Sequence, residues 1–556
     1  MKRKSKYIAS LLIALISINY LSSIAYMRFD LTEDKRYTLS DATISIVEDV
    51  DSPIVIDVFL SGDDFPSEFR RLQNETKQLL EEFLSKNKNI VFNFINPLED
   101  EATRNRNIQQ LTERGLTPMQ LSVQESGKAS QAIIFPWALA SYNDETVIIP
   151  LVKNKIGASQ QDLVTNSVQH LEYAFADGFS KLTKPKSKKI AVLRGNKQLE
   201  DKYIANFIRK LGEYYFIAPF TLDSVSKYPQ KTVEKLKDFD LIISAKPTEA
   251  FSENEKFALD QFTMSGGKSL WLIDAVAMEK DSLYNAFGKN FATTRDLNLT
   301  DFFFKYGIRI NPVMVSTLYS APITLAMGEG SESQFQHLRW PYSPLASTNE
   351  THPIVNNLNL VKFDFANQID TLKNNIKKTI LLETAPLTKL EGTPREVSLS
   401  IVTQEPNPST FNKGNQVLAV LLEGKFNSVY SNRVTPFELK NALNISSKPT
   451  KMIVIADGDV IKNDVSKNVP QELGFDRWTG QTFGNKEFLL NAVNYLLDDN
   501  GLINIRSKEI VINFLDQEKI ANEKVKWQVI NIVLPLVILG VFGVIFNYFR
   551  RKKYAN

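Results

Sequence analysis

Apolar and polar positions alternate along this chain in two rhythms, and the rhythms change at places that can be read off directly. In "PIVIDVFLSGDDFPSEFRRLQNETKQLLEEFLSKNKNIVFNFINP", from residue 53, a β-branched run gives way to Phe69, Leu72, Leu79, Leu80 and Phe83 at helical spacing. A second β-branched run follows, so the segment predicts strand, helix, strand. "AIIFPWALASYNDETVIIPLV" predicts two strands joined by a turn at Asn143 and Asp144. "NSVQHLEYAFADGFSKLTKPKSKK" reads as a helix running into a Lys/Pro/Ser linker, which sets a domain boundary near residues 181 to 188.

Beyond that boundary strands and helices alternate: "KIAVLRGN", a helix from Tyr203 to Leu211, "YYFIAPF", "FDLIISAKP", the helix "EKFALDQFTMSGG" and the strand "KSLWLIDA". Such alternation predicts a parallel α/β sheet. A middle section, about 285 to 400, has weaker periodicity and many turn formers; the α/β pattern resumes at "QVLAVLLEG" and "KMIVIADGDVIKND" and closes with "NKEFLLNAVNYLLDD". The expected fold class is α/β. It comprises a domain over 29–182 with the βαβ-plus-hairpin layout of a thioredoxin-like domain, and one interrupted doubly wound domain over 188–510.

Two apolar runs stand outside these rhythms. The first, from Tyr7 to about Met27, follows Lys2, Arg3, Lys4 and Lys6; it is longer than a signal-peptide core and ends in bulky residues, so 1–28 is expected to be an uncleaved anchor. The second runs from Trp527 to Phe549, closed by Arg550, Arg551, Lys552 and Lys553, with Trp527 and Tyr548 where interfacial aromatics belong; 527–549 is expected to be a transmembrane helix. Each run has its basic cluster on the outer-sequence side. The positive-inside rule then puts both termini in the cytoplasm and the bulk of the chain across the inner membrane, in the periplasm.

Composition narrows the chemistry. With 556 residues, 23% charged and 43% hydrophobic, the chain suits several packed domains. A net charge of +3 with scattered Lys and Arg offers no basic stripe for nucleic acid. There is no cysteine, which removes disulfides, thiolate metal sites and any cysteine nucleophile, including the redox thiolate of a thioredoxin. "SGGKS", residues 265 to 269, lacks the first P-loop glycine, since position 262 is Phe262, and it precedes a strand instead of a helix. His170, His337 and His352 have no metal-ligand spacing, and no G-x-S-x-G elbow exists. Neither a catalytic group nor a cofactor is expected.

Asp457 and Asp459 remain. At the end of an apolar strand in an α/β sheet, where ligands sit, two carboxylates on one side are a candidate Mg²⁺ or Ca²⁺ site. Asp-Gly-Asp also makes a tight turn with carboxylates capping backbone amides. Both readings stand at the level of sequence, and the metal one would make the chain a metal-dependent envelope hydrolase. A tethered solute receptor is a third possibility.

Several stretches together resemble one family: "RFDLTEDKRYTLS", "LDQFTMSGGKSLWLIDAV", "DLNLTDFFFKYGIRINP", "THPIVNNLN", "ILLETAP", "IVIADGDVIKND" and "GNKEFLLNAVNYLLDDNGLINIRSKEI". They are similar to the GldG family of gliding-motility proteins, auxiliary substrate-binding-type components of an ABC transporter. The likeness departs at "LRGNKQLED", where relatives tend to carry a Gly-His-Gly-Glu-like turn. It implies a partner membrane permease and a cytosolic ATPase, other envelope motility or secretion components, and a contribution to gliding and surface-protein secretion. The second domain also resembles the class I glutamine amidotransferase-like fold of intraflagellar-transport-type domains, without that activity because no cysteine is present.

Overall fold

The structure, a computed structural model, describes residues 11, 13–17, 19, 30, 38–62, 65–125, 128–328, 333–348, 351–439, 444–498, 501–507 and 517–554. It divides into two units, Met1–Glu509 and Ile510–Asn556.

The first unit begins with helix α1 (Asp41–Glu48), capped by the Ser40 side chain, and a four-stranded sheet. Strands β1 (Ile54–Val58) and β2 (Ile90–Phe94) pair in parallel through helix α2 (Ser67–Lys86), the predicted strand-helix-strand unit. The hairpin β3 (Trp137–Tyr142) and β4 (Glu145–Pro150) joins antiparallel to β1, and Asn143 in its turn takes the left-handed conformation such turns need. Helix α3 (Gln160–Thr183) opens on a capping box between Ser159 and Asp162. Its Phe175 and Phe179 meet Phe83 of α2 edge-on at 6.2 and 5.4 Å, so the period-3.6 apolar positions of both helices close one core.

The chain continues into a seven-stranded sheet. Five strands are parallel: β5 (Lys189–Arg194), β6 (Phe216–Thr221), β7 (Leu241–Ala245), β8 (Lys268–Leu272) and β11 (Thr450–Ile455). Two antiparallel strands, β9 (Lys377–Glu383) and β10 (Val417–Gly424), extend it on the β11 side, giving the order β9-β10-β11-β8-β7-β5-β6. Alternation along each strand builds two cores. Ile190, Ile243, Leu270 and Ile453 face α4 (Asp201–Leu211) and α7 (Asn485–Leu497), through Phe207, Leu211, Phe488 and Ala492. Ala191, Ile242, Trp271 and Met452 face α5 (Pro229–Leu236) and α6 (Glu253–Met264), through Leu236, Phe257 and Phe262. Helices on both faces are what a buried parallel sheet requires. The "SGGKS" stretch is the turn from α6 into β8, with Gly266 at φ +97°.

The middle section is richer in strands than its periodicity implied. Ile308–Thr317, Ser320–Met327 and Gln334–Ala346 belong to small antiparallel sheets. Their ladders shift register at Asn311/Met314 and Ser320/Pro322, next to prolines that cannot donate to a ladder, and these interruptions blur the period-2 signal.

A buried ion cluster ties the N-terminal segment to the larger sheet. Glu487, on α7, accepts from Lys153 Nζ at 2.6 Å and from Arg506 Nη2 at 2.6 Å, and the Arg506 guanidinium lies 5.0 Å from the centre of the Tyr173 ring on α3. Burial pushes the Lys153 ammonium down to about 8, although Glu487 pulls the other way. Burial and the nearby Lys153 and Arg506 charges hold His170 well below its usual value.

The second unit is helix α8 (Gln517–Tyr554), 38 residues long, with Pro535 inside it and Arg551, Lys552 and Lys553 in its last turn. Its segment Glu523–Tyr554 is long and apolar enough to cross a membrane, and it is the one such helix among the described residues. Of the expected N-terminal anchor, Leu11, Ile13, Leu15 and Ile16 are helical and exposed, while Lys2, Arg3, Lys4 and Lys6 lie outside the described residues.

Replacing Glu487 with Gln leaves two enclosed cations without their shared carboxylate. The expected loss of stability is about 3–5 kcal/mol, the usual effect of breaking a buried pair. Lys153 ionises below its unfolded value of 10.5, so its charge weighs against folding at pH 6 and is largely lost by pH 9. Urea unfolding of the variant should therefore show a larger deficit at pH 6 than at pH 9; an equal deficit at both would count against this account.

Candidate functional site

Three neighbouring strands of the seven-stranded sheet, β7, β8 and β11, deliver charged residues at their C-terminal ends. Lys246 follows β7 by one residue, Asp274 follows β8 by two, and Asp457 follows β11 by two. Each comes directly after a run of buried, mainly apolar residues, so each side chain is carried to the sheet edge with little surface exposed.

Lys246 organises the group. Its side chain is 2% exposed, and its ammonium donates to Asp459 Oδ2 at 2.7 Å and to Glu279 Oε2 at 2.8 Å, with Asp274 Oδ2 at 3.5 Å. Burial opposes its charge, but Asp459, Asp274 and Glu279 together hold it well above the ordinary lysine value. Its backbone is left-handed, φ +54°, while its N–H still donates to Leu272 O at 3.0 Å, so the chain turns sharply without leaving the sheet edge unpaired. Arg295 supplies a second cation, 3.2 Å from Asp274 and 3.7 Å from Glu279.

Each residue of Asp457-Gly458-Asp459 has a separate structural task. The Asp457 carboxylate is fully buried and accepts two backbone N–H groups, from Asp364 at 2.6 Å and from Asp459 at 2.7 Å. Burial, with Asp459 and Asp274 close by, pushes it well above the usual carboxylate value. Gly458 donates its N–H to Asp274 Oδ1 at 2.5 Å, and a Cβ there would stand 2.3 Å from Lys246 Cγ. Only glycine leaves room for the lysine stem. Asp459 completes the ring by accepting from Lys246; its Oδ1 is buried without a hydrogen-bond partner, 3.8 Å from Lys462 Nζ.

Asp364, pinned by Asp457, forms the next layer. Burial would raise its carboxyl, but Lys280 at 3.1 Å, Lys362 and the Ser343 hydroxyl outweigh that and bring it down to about 2. Asn367, three residues on, donates its N–H to Ala456 O at 2.8 Å and accepts from Ala275 N at 2.6 Å, which lays the 364–367 loop over the ends of β11 and β8.

Outside this network opens a cavity of about 360 Å³, bordered by Asp459, Asp364, Lys462, Lys362, Tyr284 and Trp478 among others. Asp459 and Asp364 are thus shared between the ion network and the cavity wall.

The structure brings Asp457 and Asp459 together and gives both of them protein partners. Among the described residues no group of three or more His, Asp or Glu is arranged to hold a metal ion. His337 Nδ1 lies 2.9 Å from Thr324 Oγ1, His170 packs beside Tyr173 at 5.4 Å, and His352 meets Tyr495 edge-on at 4.7 Å. Lys246, Asp274 and Asp364 were not singled out by sequence reasoning. The signal for the first two is the one that exposed Asp457, a charged residue closing a buried, mainly apolar strand, in "LIISAK" and "LWLID".

Comparison with known proteins supplies family context. Residues 187–492 match the family model described as ABC-type uncharacterized transport system, and residues 33–141 match one described as a domain of unknown function (DUF7088). An uncharacterized protein of Borreliella burgdorferi is 21% identical over 544 residues, covering 96% of this chain and 95% of that protein. A solved structure titled mmIFT52 N-terminal domain aligns with 56% of this chain and 98% of its own, at 13% identity and a TM-score of 0.31.

Lys246→Met should cost about 3–5 kcal/mol, because it leaves Asp274, Glu279 and Asp459 without their central cation. Gly458→Ala should cost about 1–3 kcal/mol by forcing the lysine stem aside. Gly392→Ala, where a Cβ meets nothing within 4 Å, is the control and should stay within about 0.5 kcal/mol of the parent. Denaturant unfolding measures all three, and a Gly458→Ala protein as stable as the control would refute the packing argument.

Proposed function

The chain belongs to the ABC-type uncharacterized transport system family, and from that premise we propose that it is a non-catalytic accessory subunit of an ABC transporter, held at the membrane by α8. The family match over 187–492 carries this reading. The site supports it, since Lys246, Asp274, Asp457 and Asp459 spend most of their hydrogen-bonding capacity on one another and on backbone.

In the fuller form of the proposal, 1–28 and 527–549 both span the inner membrane, with both termini cytoplasmic. A thioredoxin-like part (29–182) and an amidotransferase-like part (188–510) then lie in the periplasm. The partners are a permease and a cytosolic ATPase, and the process served is gliding motility with surface-protein secretion.

Affinity purification of the tagged chain from native membranes in mild detergent should recover both a permease and an ATPase; recovery of neither overturns the accessory reading. Orientation has its own test, because a chain without cysteine accepts a single reporter thiol. Ser187→Cys, at an exposed position between α3 and β5, should react with a membrane-impermeant maleimide in intact spheroplasts. Reaction only after permeabilisation would put the body in the cytoplasm.

A further inference from the structure

The cavity beside the ion network has polar walls of an unusual kind. Several of its charges come as loosely opposed pairs: Lys462 and Asp281 at 3.8 Å, Lys462 and Asp459 at 3.8 Å, and Lys362 and Asp476 at 3.6 Å. These separations exceed a hydrogen bond, so each lysine keeps donor capacity and each pair leaves room for an intervening polar atom. By contrast, the pairs that hold the floor together are direct, Lys246 with Asp459 at 2.7 Å and Lys280 with Asp364 at 3.1 Å.

A ligand anion placed between a loosely paired lysine and its aspartate meets the carboxylate's repulsion, and a ligand cation meets the lysine's. A hydroxyl suits both, because one oxygen accepts from the ammonium and donates to the carboxylate. The pattern therefore selects a neutral ligand with several hydroxyls.

The apolar part of the wall fits the same class. Trp478 is 45% exposed and Tyr284 54% exposed, and both border the cavity. Asp476 Oδ1 accepts the Trp478 backbone N–H at 2.9 Å, which fixes the backbone that presents the indole; the Arg477 guanidinium lies 5.0 Å and the Phe335 ring 4.9 Å from the indole, so protein covers part of it and the rest borders the cavity. Flat aromatic surface beside converging polar groups is what binds a ring that carries C–H groups on its faces and hydroxyls on its edge.

We propose that this cavity is a binding site for a neutral saccharide, held by hydroxyl bridges across the Lys462/Asp281 and Lys362/Asp476 pairs and by packing against Trp478 and Tyr284. It deepens the accessory reading by giving the subunit a ligand. The test uses purified chain without transporter, so a failure here leaves the co-purification result standing.

The experiment is calorimetric titration of the full chain, in a detergent without a sugar headgroup, with maltotetraose, cellotetraose and chitotetraose. Inorganic phosphate and triglycine serve as anionic and zwitterionic probes. At least one tetrasaccharide should bind, Trp478→Ala should weaken it about tenfold, and Tyr284→Ala should weaken it in the same direction. Both side chains are about half exposed, and an unchanged melting temperature shows that the variants fold. Raising salt from about 50 to about 500 mM should change the affinity by less than about twofold, because a neutral ligand is not subject to charge screening. Absence of tetrasaccharide binding, affinity unmoved by Trp478→Ala, or binding only of phosphate or triglycine would each overturn the proposal.

Discussion

The ammonium of Lys246 is the interaction on which the functional end of this fold depends. Three parallel strands end side by side, and their last residues are acidic on two of them. Without a cation among them, Asp274, Asp457 and Asp459 would be like charges crowded into a region of low dielectric, where repulsion is strong. One lysine, admitted because position 458 has no side chain, turns that crowding into a direct contact with Asp459 and Glu279 and a close approach to Asp274. The network then extends outward through Asp457 to the 364–367 loop, and from there to the wall of the cavity.

This ordering separates two kinds of charge that the sequence presents alike. Inner carboxylates are consumed: Asp457 by two backbone amides, Asp274 by Gly458 N and Arg295, and one oxygen of Asp459 by Lys246. Charges nearer the rim, such as Asp281 and Lys462, stand farther apart and keep their capacity for a ligand. A single Asp-Gly-Asp turn divides one group from the other, and this is how a region dense in charge can be rigid on one side and receptive on the other.

Much of the scaffold was legible because it obeys local rules. The strand-helix-strand unit over 54–94, the Asn143 turn and the alternation from Lys189 to Leu272 all follow from spacing and turn chemistry, and the structure has them. Helix α5, by contrast, lies in "PQKTVEKL", whose buried Thr232, Val233 and Leu236 leave only a short apolar stripe. The strands of the middle section were obscured by bulges and prolines. The site was half visible. Asp457 and Asp459 stood out as neighbours in sequence, whereas Lys246, Asp274 and Asp364 join them only because strands β7, β8 and β11 lie adjacent in the sheet. No spacing rule reaches across more than 200 residues to pair Lys246 with Asp459.

The glycine at 458 has a consequence for descent. Because the lysine stem fills the space where its Cβ would be, and because two carboxylates and a backbone amide are oriented by that lysine or its neighbours, these positions change together or not at all. A lineage that loses the lysine frees the glycine to become any small residue and turns the acids into burdens, so Lys246, Asp274, Gly458 and Asp459 should be inherited as one unit. Relatives too divergent for overall identity to be informative can still be sorted by whether they carry the whole set or none of it.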